Sequence, residues 1–408
     1  MNFVFISPNF PQTYWQFCDR LNQLGVRVLG IGDQDYDSLN PALRSSLTEY
    51  YRVSTLEDYD QVFRAVAFFS FKYGKIDWLE SNNEYWLEQD ARLRTDFHIT
   101  TGISADEIGQ WKSKSSMKPV YAAAGIPTAR CHPIQSEDGA RQFLESIGGY
   151  PVIVKPDIGV GASGTWKLEN DSDWRAFFDR HLEAPYVMEE FVEGEICSYD
   201  AITDEACRPL FESMTVWPPV ADIVNLDLDL AYYTSRMVPT QLKEKGRAAL
   251  AAFHVRSRFV HLEFFRMKKE RPGLGKPGDF VGLEVNMRPA GGYTPDMMNF
   301  AHSTDVYRIY AEMVRYGERR LPDSGDHHYC VYASRKNGHR YTYSHGEILE
   351  RWGARMAMCE EMPVLMWETM GRYMYTVHAY SMDEVRSFIA MVHGGENRPC
   401  GLMLMDEE

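Results

Sequence analysis

Three apolar runs, spaced by amphipathic stretches that stop at glycine, fill the first hundred residues and leave little choice of architecture. FVFIS, VRVLGIG and IDWLES read as strands. TYWQFCDRLNQLG, EDYDQVFRAVAFFSFKYG and NEYWLEQDARLRTDF read as helices, the first two ending at Gly25 and Gly74. Strands that alternate with helices need crossover connections, so the predicted unit is a parallel βαβ sheet over residues 1–110. Its first turn, SPNFP, lacks a glycine-rich phosphate fingerprint, so the unit has a doubly wound form without the dinucleotide signature.

With 408 residues, 44% hydrophobic and 25% charged, the chain can build an ample core in two or three domains. A net charge of −15 argues against a surface made for a phosphate backbone, so no nucleic-acid partner is expected. No run approaches the roughly 18 apolar residues of a membrane span, and Pro8 and Pro11 interrupt the N-terminal run too soon for a signal peptide. The expectation is a cytoplasmic protein with no membrane partner. Seven cysteines without CxxC or Cys/His spacing read as reduced thiols, with neither a zinc site nor a catalytic cysteine. His327 and His328 read as a loop feature.

From about Trp111 the pattern turns α+β. KSKSSMKPVYAAAG reads as a helix with a basic start, and YPVIVKPDIGVGASGTWKLEN as a strand, a glycine loop and a second strand. The loop spells GxGxxG at Gly159, Gly161 and Gly164, but the TWKLEN stretch after it reads as extended rather than helical, and Thr165 and Trp166 stand where a P-loop carries Lys and Ser/Thr. A kinase-type glycine loop precedes its lysine strand, whereas Lys155 comes before this one. The reading left is a glycine hairpin behind a strand-borne lysine, suited to letting backbone N–H groups and one point charge approach phosphate oxygens. A plain flexible hairpin tip would look the same.

Near residue 284 the strand GLEVNMRPAGG carries Glu284, Asn286 and Arg288 on one face, because side chains two apart project together. A solvated outer face has the same pattern. The preceding strand, FVHLEFFRM, brings Glu263, and the Gly/Pro-rich loop between them predicts an antiparallel hairpin. Two carboxylates and an amide oxygen are hard donors that suit magnesium held jointly with phosphates, and Arg288 could neutralise a transferring phosphoryl group. The connecting loop, residues 267–279, is long and basic and reads as a solvated connector. Residues 213–236, with Trp217 and tandem prolines, read as a shaped loop near substrate or equally as packing, core being the default for aromatic positions, with Arg236 as a candidate for a substrate carboxylate.

In this order the pieces resemble the ATP-grasp family of ligases: KSKSSMK, then VIVKPDIGVGASG, then MEEFVEGE, then HLEFF with LEVNMRPAGG. The resemblance spans roughly residues 76–300 and implies an α/β and α+β chain. Its parts would be a Rossmann-like domain at 1–110, a lid subdomain at 111–190, a large subdomain with the metal site at 191–325 and an α+β extension at 326–408. It further implies that Lys114 and Lys155 contact ATP phosphates and that a flap around Ser163 and Gly164 closes over them. Glu189, Glu190 and Val192 would meet the adenine, with Glu195 on the ribose. Glu263, Glu284 and Asn286 would hold magnesium, for which manganese may stand in, and Arg288 would steady an acyl phosphate. Ser113 stands where the family often has Asp before its first lysine, so Lys112 and Lys118 stay open as alternatives to Lys114.

The implied reaction is phosphorylation of a carboxylate by ATP, followed by attack of an amine, with small-molecule carboxylate and amine partners. A carboxylase or carbamate-forming enzyme is the related alternative, and a nucleotide-binding module without turnover is a second. The C-terminal segment is left between completing an acceptor pocket and forming a homodimer interface.

Overall fold

The first strand, NFVFI, is buried at all five positions, as a parallel strand covered on both faces has to be. The computed structural model describes residues 1–159, 164–180, 182, 184–219, 223 and 226–394. Within them β1 (Asn2–Ile6), β2 (Arg27–Gly32), β3 (Glu49–Arg52) and β4 (Trp78–Glu80) form a sheet of order β3-β2-β1-β4 with parallel pairings. β3 was absent from the sequence expectation because EYYR is short, polar and half-exposed at the sheet edge. The helix Tyr59–Tyr73 is capped by Asp58, whose carboxylate accepts from the Asp60 and Gln61 amides, and it ends at Gly74 with φ 85.

A second, antiparallel sheet comprises β5 (Cys131–Pro133), β6 (Val152–Pro156), β7 (Trp166–Leu168) and β8 (Tyr186–Glu190), in the order β5-β8-β6-β7. Val152, Val154 and Met188 from its strands bury Trp174 and Phe177 of the helix Asp171–Phe178. β6 and β7 pair as a hairpin, Val154 opposite Trp166, so the glycine loop is its connection. Ser163 lies outside the described residues.

The third sheet gathers β9 (Gly194–Thr203), β10 (Pro209–Trp217), β11 (Ala231–Thr234), β12 (Phe259–Met267), β13 (Phe280–Asn286), β14 (Tyr329–Arg335), β15 (Met356–Glu361) and β16 (Tyr373–Ala379). Their order is β13-β12-β9-β10-β11-β14-β16-β15, so strands from residues 326–408 continue the sheet that carries Glu263 and Glu284. Of the two readings open for 213–236, packing holds at both ends: β10 runs to Trp217 and β11 begins at Ala231. Trp217 serves as core, its ring stacked 4.2 Å from Tyr232, which itself stacks on Tyr332.

One buried ionic group ties the first sheet to the third. Glu80, at the end of β4, meets Arg94 Nη2 at 2.8 Å and Arg258 Nη2 at 3.2 Å. Burial alone would raise the Glu80 carboxyl, but Arg258 and Arg94 hold it below the usual range. Arg258 also donates twice to the Met287 carbonyl, at 3.2 and 2.7 Å, and so fixes the backbone just before Arg288. Replacing Arg258 by Ala leaves a buried carboxylate short of a cation and a carbonyl without its donor. The expected loss is about 3 kcal/mol, read by denaturant unfolding; a change under about 0.5 kcal/mol, the scale of ordinary surface substitutions, would contradict the clamp.

Candidate functional site

The antiparallel register of β12 and β13 sets Glu263 directly opposite Glu284, and His261 opposite Asn286. Asn286 Nδ2 donates to Glu263 Oε1 at 3.5 Å, and His261 Nε2 lies 3.3 Å from the same oxygen. On its other side His261 Nδ1 is 2.7 Å from Asp200 Oδ1, brought in from the neighbouring strand β9. Burial would depress the imidazole, but Asp200 and then Glu263 raise it to about 9, so it is a cation at neutral pH. Glu263 in turn is raised by burial and lowered further by His261, Arg288 and Lys155, ending below the usual carboxylate range.

Lys114 opens the helix Lys114–Ala123, whose N-cap Ser113 donates to Asp157 Oδ2 at 2.7 Å while the Ser115 amide donates to Asp157 Oδ1 at 2.8 Å. Asp157 directly follows β6, so this helix start is fastened to the glycine hairpin. Lys114 Nζ then sits 3.0 Å from Glu284 Oε1 and donates to the Gly159 carbonyl at 3.4 Å. The two alternatives face other acids: Lys112 Nζ is 3.7 Å from Glu84, and Lys118 Nζ 2.6 Å from Glu189. Lys155 Nζ completes the cluster 2.7 Å from the second oxygen of Glu189. Burial would lower Lys155, but Glu189 and Glu284 raise it.

Glu189 and Glu190 end β8, and both are buried. Burial would raise Glu189, yet Lys155 and Lys118 bring it down to about 2. Glu190 is clasped by Arg130, at 3.2 and 2.9 Å, and by Arg271 at 3.0 Å, and Arg271 Nη1 also donates to the Phe191 carbonyl at 2.6 Å. The solvated connector expected over 267–279 holds for its exposed Lys269, Glu270 and Lys276, while Arg271 ties the loop to the buried Glu190 carboxylate. Val192 is buried beside Met267 and Leu274 of the same loop, and Glu195 lies 3.9 Å from Lys268.

Arg288 follows β13, its Nη1 donating to the Pro289 carbonyl at 2.8 Å and its Nε 4.0 Å from Glu84 Oε2. Both line a cavity of about 300 Å³ bounded by the first βα turn, residues 10–14, by Asn83, by Pro289 and residues 291–293 and by Pro363 and Met366. Arg236 is instead exposed, with its guanidinium over the Tyr329 ring, and does not line this cavity.

Ion pairs, a hydrogen bond and charge contacts therefore link Lys114, Lys155, Glu189, Glu263, Glu284, Asn286 and Arg288 in one cluster where strands of the second and third sheets meet, and Gly164 lies in the β6–β7 connection beside Pro156 and Tyr186. Sequence reasoning missed His261, Asp200 and Glu84. His261 stands two residues before Glu263 on the same strand face, a signal that was present in HLEFF. Asp200 and Glu84 gave none, because only tertiary pairing brings them in. Two carboxylates in register with an amide make a donor set that fits a magnesium-type cation. Among the described residues no three His, Cys, Asp or Glu gather as a metal cage by themselves, and none of the described helices is long and apolar enough to cross a membrane.

Residues 114–262 match the family model of the ATP-grasp domain. The carbamoyl phosphate synthase large chain of Arthrobacter sp. (strain FB24) is 29% identical over 129 residues, 32% of this chain and 11% of that relative. The chain thus spans about a tenth of that relative's length. The L-amino acid ligase of Bacillus licheniformis superposes with a TM-score of 0.68 at 13% identity, over 95% of each chain. The biotin carboxylase domain dimer of Hydrogenobacter thermophilus 2-oxoglutarate carboxylase, solved with MgADP and bicarbonate, gives 0.66 at 15% identity over 94% of this chain and 88% of that one. The fold is the ATP-grasp fold, preceded by a parallel Rossmann-like sheet.

The depressed Glu189 carboxyl has a consequence for acid stability. A carboxyl lowered on folding from its ordinary 4.5 to about 2 stabilises above pH 4.5, and that contribution is lost as pH falls toward 2. Between pH 5 and 3 the parent should lose melting temperature more steeply than Glu189→Gln, the variant being less stable at pH 7. Parallel curves would show that the lysine pair does not act through this charge.

Proposed function

We propose that the chain is an ATP- and magnesium-dependent ligase that activates a carboxylate as an acyl phosphate and couples it to an amine, forming a C–N bond and releasing ADP. The observation that carries this reading is the single cleft in which Glu263, Glu284 and Asn286 face Lys114, Lys155 and Arg288. An apparatus for binding nucleotide alone has no need of an arginine between the carboxylate pair and a separate cavity.

Lys114 and Lys155 would contact the ATP phosphates, exchanging their present acidic partners for phosphate oxygens, and Ser163 and Gly164 would close over them with the hairpin. Glu190 and Val192 would offer backbone groups to the adenine while Arg130 and Arg271 keep the Glu190 side chain turned away, Glu189 would set Lys155 and Lys118, and Glu195 would meet the ribose. Glu263, Glu284 and Asn286 would hold magnesium, which supplies neutralisation of phosphate charge when bound. His261, held by Asp200, orients Glu263. Arg288 would bind the reacting carboxylate and then the acyl phosphate formed when a carboxylate oxygen takes the γ-phosphoryl group; the amine then attacks the acyl carbon and phosphate leaves.

The domain division that goes with this reading is a Rossmann-like domain at 1–110, a lid at 111–190, a large subdomain at 191–325 and a C-terminal segment at 326–408 that borders the substrate cavity. Similarity to an L-amino acid ligase supports amino acids as substrates, and similarity to a biotin carboxylase domain supports a carboxylase as the second reading and a homodimer as one assembly. A cytoplasmic setting accords with a small-metabolite enzyme.

Phosphate and ADP release from magnesium-ATP, measured against pooled amino acids and small carboxylic acids, tests the proposal. Release should depend on one pool, stop with EDTA and fall at least about 100-fold in Glu284→Gln. Release that ignores EDTA and survives this substitution would contradict it.

A further inference from the structure

The cavity beside Arg288 has a composition that narrows the substrate, on the premise that the ligase reading holds. Its walls include Phe10, Pro11, Pro363 and Met366, and its polar end is the pair Glu84 and Arg288. Glu84 is only 5% exposed, and its Oε2, 4.0 Å from Arg288 Nε, accepts no hydrogen bond among the described residues. A buried carboxylate oxygen left without a donor is costly, and here it opens onto a cavity. The other oxygen, Oε1, already faces Lys112 at 3.7 Å. The cavity therefore presents a negative and a positive group side by side, and the remaining wall is mostly apolar, with Gln12, Thr13, Asn83 and Tyr293 set among the apolar side chains.

We infer that this cavity takes an α-amino acid with an apolar side chain, its ammonium donating to Glu84 Oε2, its carboxylate turned to Arg288 and its side chain against Phe10, Pro363 and Met366. A zwitterion matches the paired charges, with opposite groups on one α-carbon. Size allows it: a cavity of about 300 Å³ is large enough to admit a leucine- or phenylalanine-sized ligand. Bicarbonate would leave most of the apolar wall uncovered. A phosphorylated sugar would bring at least one charge more than Arg288 answers, into a space already holding a carboxylate.

The experiment compares kcat/KM for phosphate release with leucine, phenylalanine, aspartate, bicarbonate and the desamino acid 4-methylpentanoate, each with a common amine, and measures MgATP affinity separately. Binding of each acid to the MgADP-loaded protein is followed by calorimetry alongside. Leucine or phenylalanine should exceed aspartate, bicarbonate and 4-methylpentanoate by at least tenfold. Glu84→Gln should erase the preference for leucine over its desamino analogue, which a merely structural role would not do. Met366→Glu should raise KM for leucine at least tenfold, with MgATP affinity within twofold of the parent in both variants. Preference for bicarbonate, aspartate or the desamino acid overturns the inference while leaving ATP-dependent ligation standing, as does absence of both turnover and binding with apolar amino acids when MgATP binds. Failure to bind MgATP at all overturns the ligase reading, and this inference with it.

Discussion

Two carboxylates directly across a strand pair repel one another, and the rest of the site is arranged around that fact. The register of β12 and β13 forces Glu263 and Glu284 together, and each is answered by a cation from a different direction. Lys114 reaches Glu284 from a helix fastened to the glycine hairpin by Asp157, and His261 answers Glu263 from the same strand with Asp200 behind it. Neither cation is a chance neighbour: the first is set by a capped helix, the second by the pairing of β12 with β9. The cleft is thus stable without ligand yet holds charges that phosphates and a divalent cation can take over. Ion pairs of this kind stabilise little in net terms, and their use is to keep opposed groups poised.

A second pairing determines what else reaches the cleft. Glu80 draws Arg258 across the junction between the first and third sheets, and Arg258 grips the carbonyl of Met287. Four residues after Glu80 the same chain turn delivers Glu84 to the neighbourhood of Arg288. The parallel sheet is therefore more than a preceding unit: its β4 turn supplies one wall and one charge of the cavity, and its first βα turn another. That turn carries no glycines and lines the cavity with Phe10 and Pro11.

Much of this was legible in the sequence where periodicity and spacing carry the information. The boundaries of β12 and the hairpin to β13, the glycine stop at Gly74 and the alternation of Glu284 and Asn286 all come from local pattern. What local pattern could not supply was partnership. Lys112, Lys114 and Lys118 are indistinguishable as a basic run, and each turns out to face its own acid, Glu84, Glu284 and Glu189. Arg271 looked like a solvated loop residue because Glu190, its partner, is some eighty positions away. Trp217 and its prolines left loop and core open because the strand ends at the tryptophan, and its stacking on Tyr232 is a tertiary fact. β3 escaped because an edge strand with polar residues shows no buried face.

At the heart of the proposed reaction, a carboxylate oxygen takes the γ-phosphoryl group of ATP within this cleft. An acceptable amino acid labelled with ¹⁸O in both carboxylate oxygens, turned over with MgATP and an amine, tests that step by mass spectrometry of the released phosphate. Each phosphate formed should carry one ¹⁸O. Unlabelled phosphate, with the heavy oxygen lost on amide formation found in water or with both heavy oxygens still in unreacted acid, would show that no acyl phosphate forms.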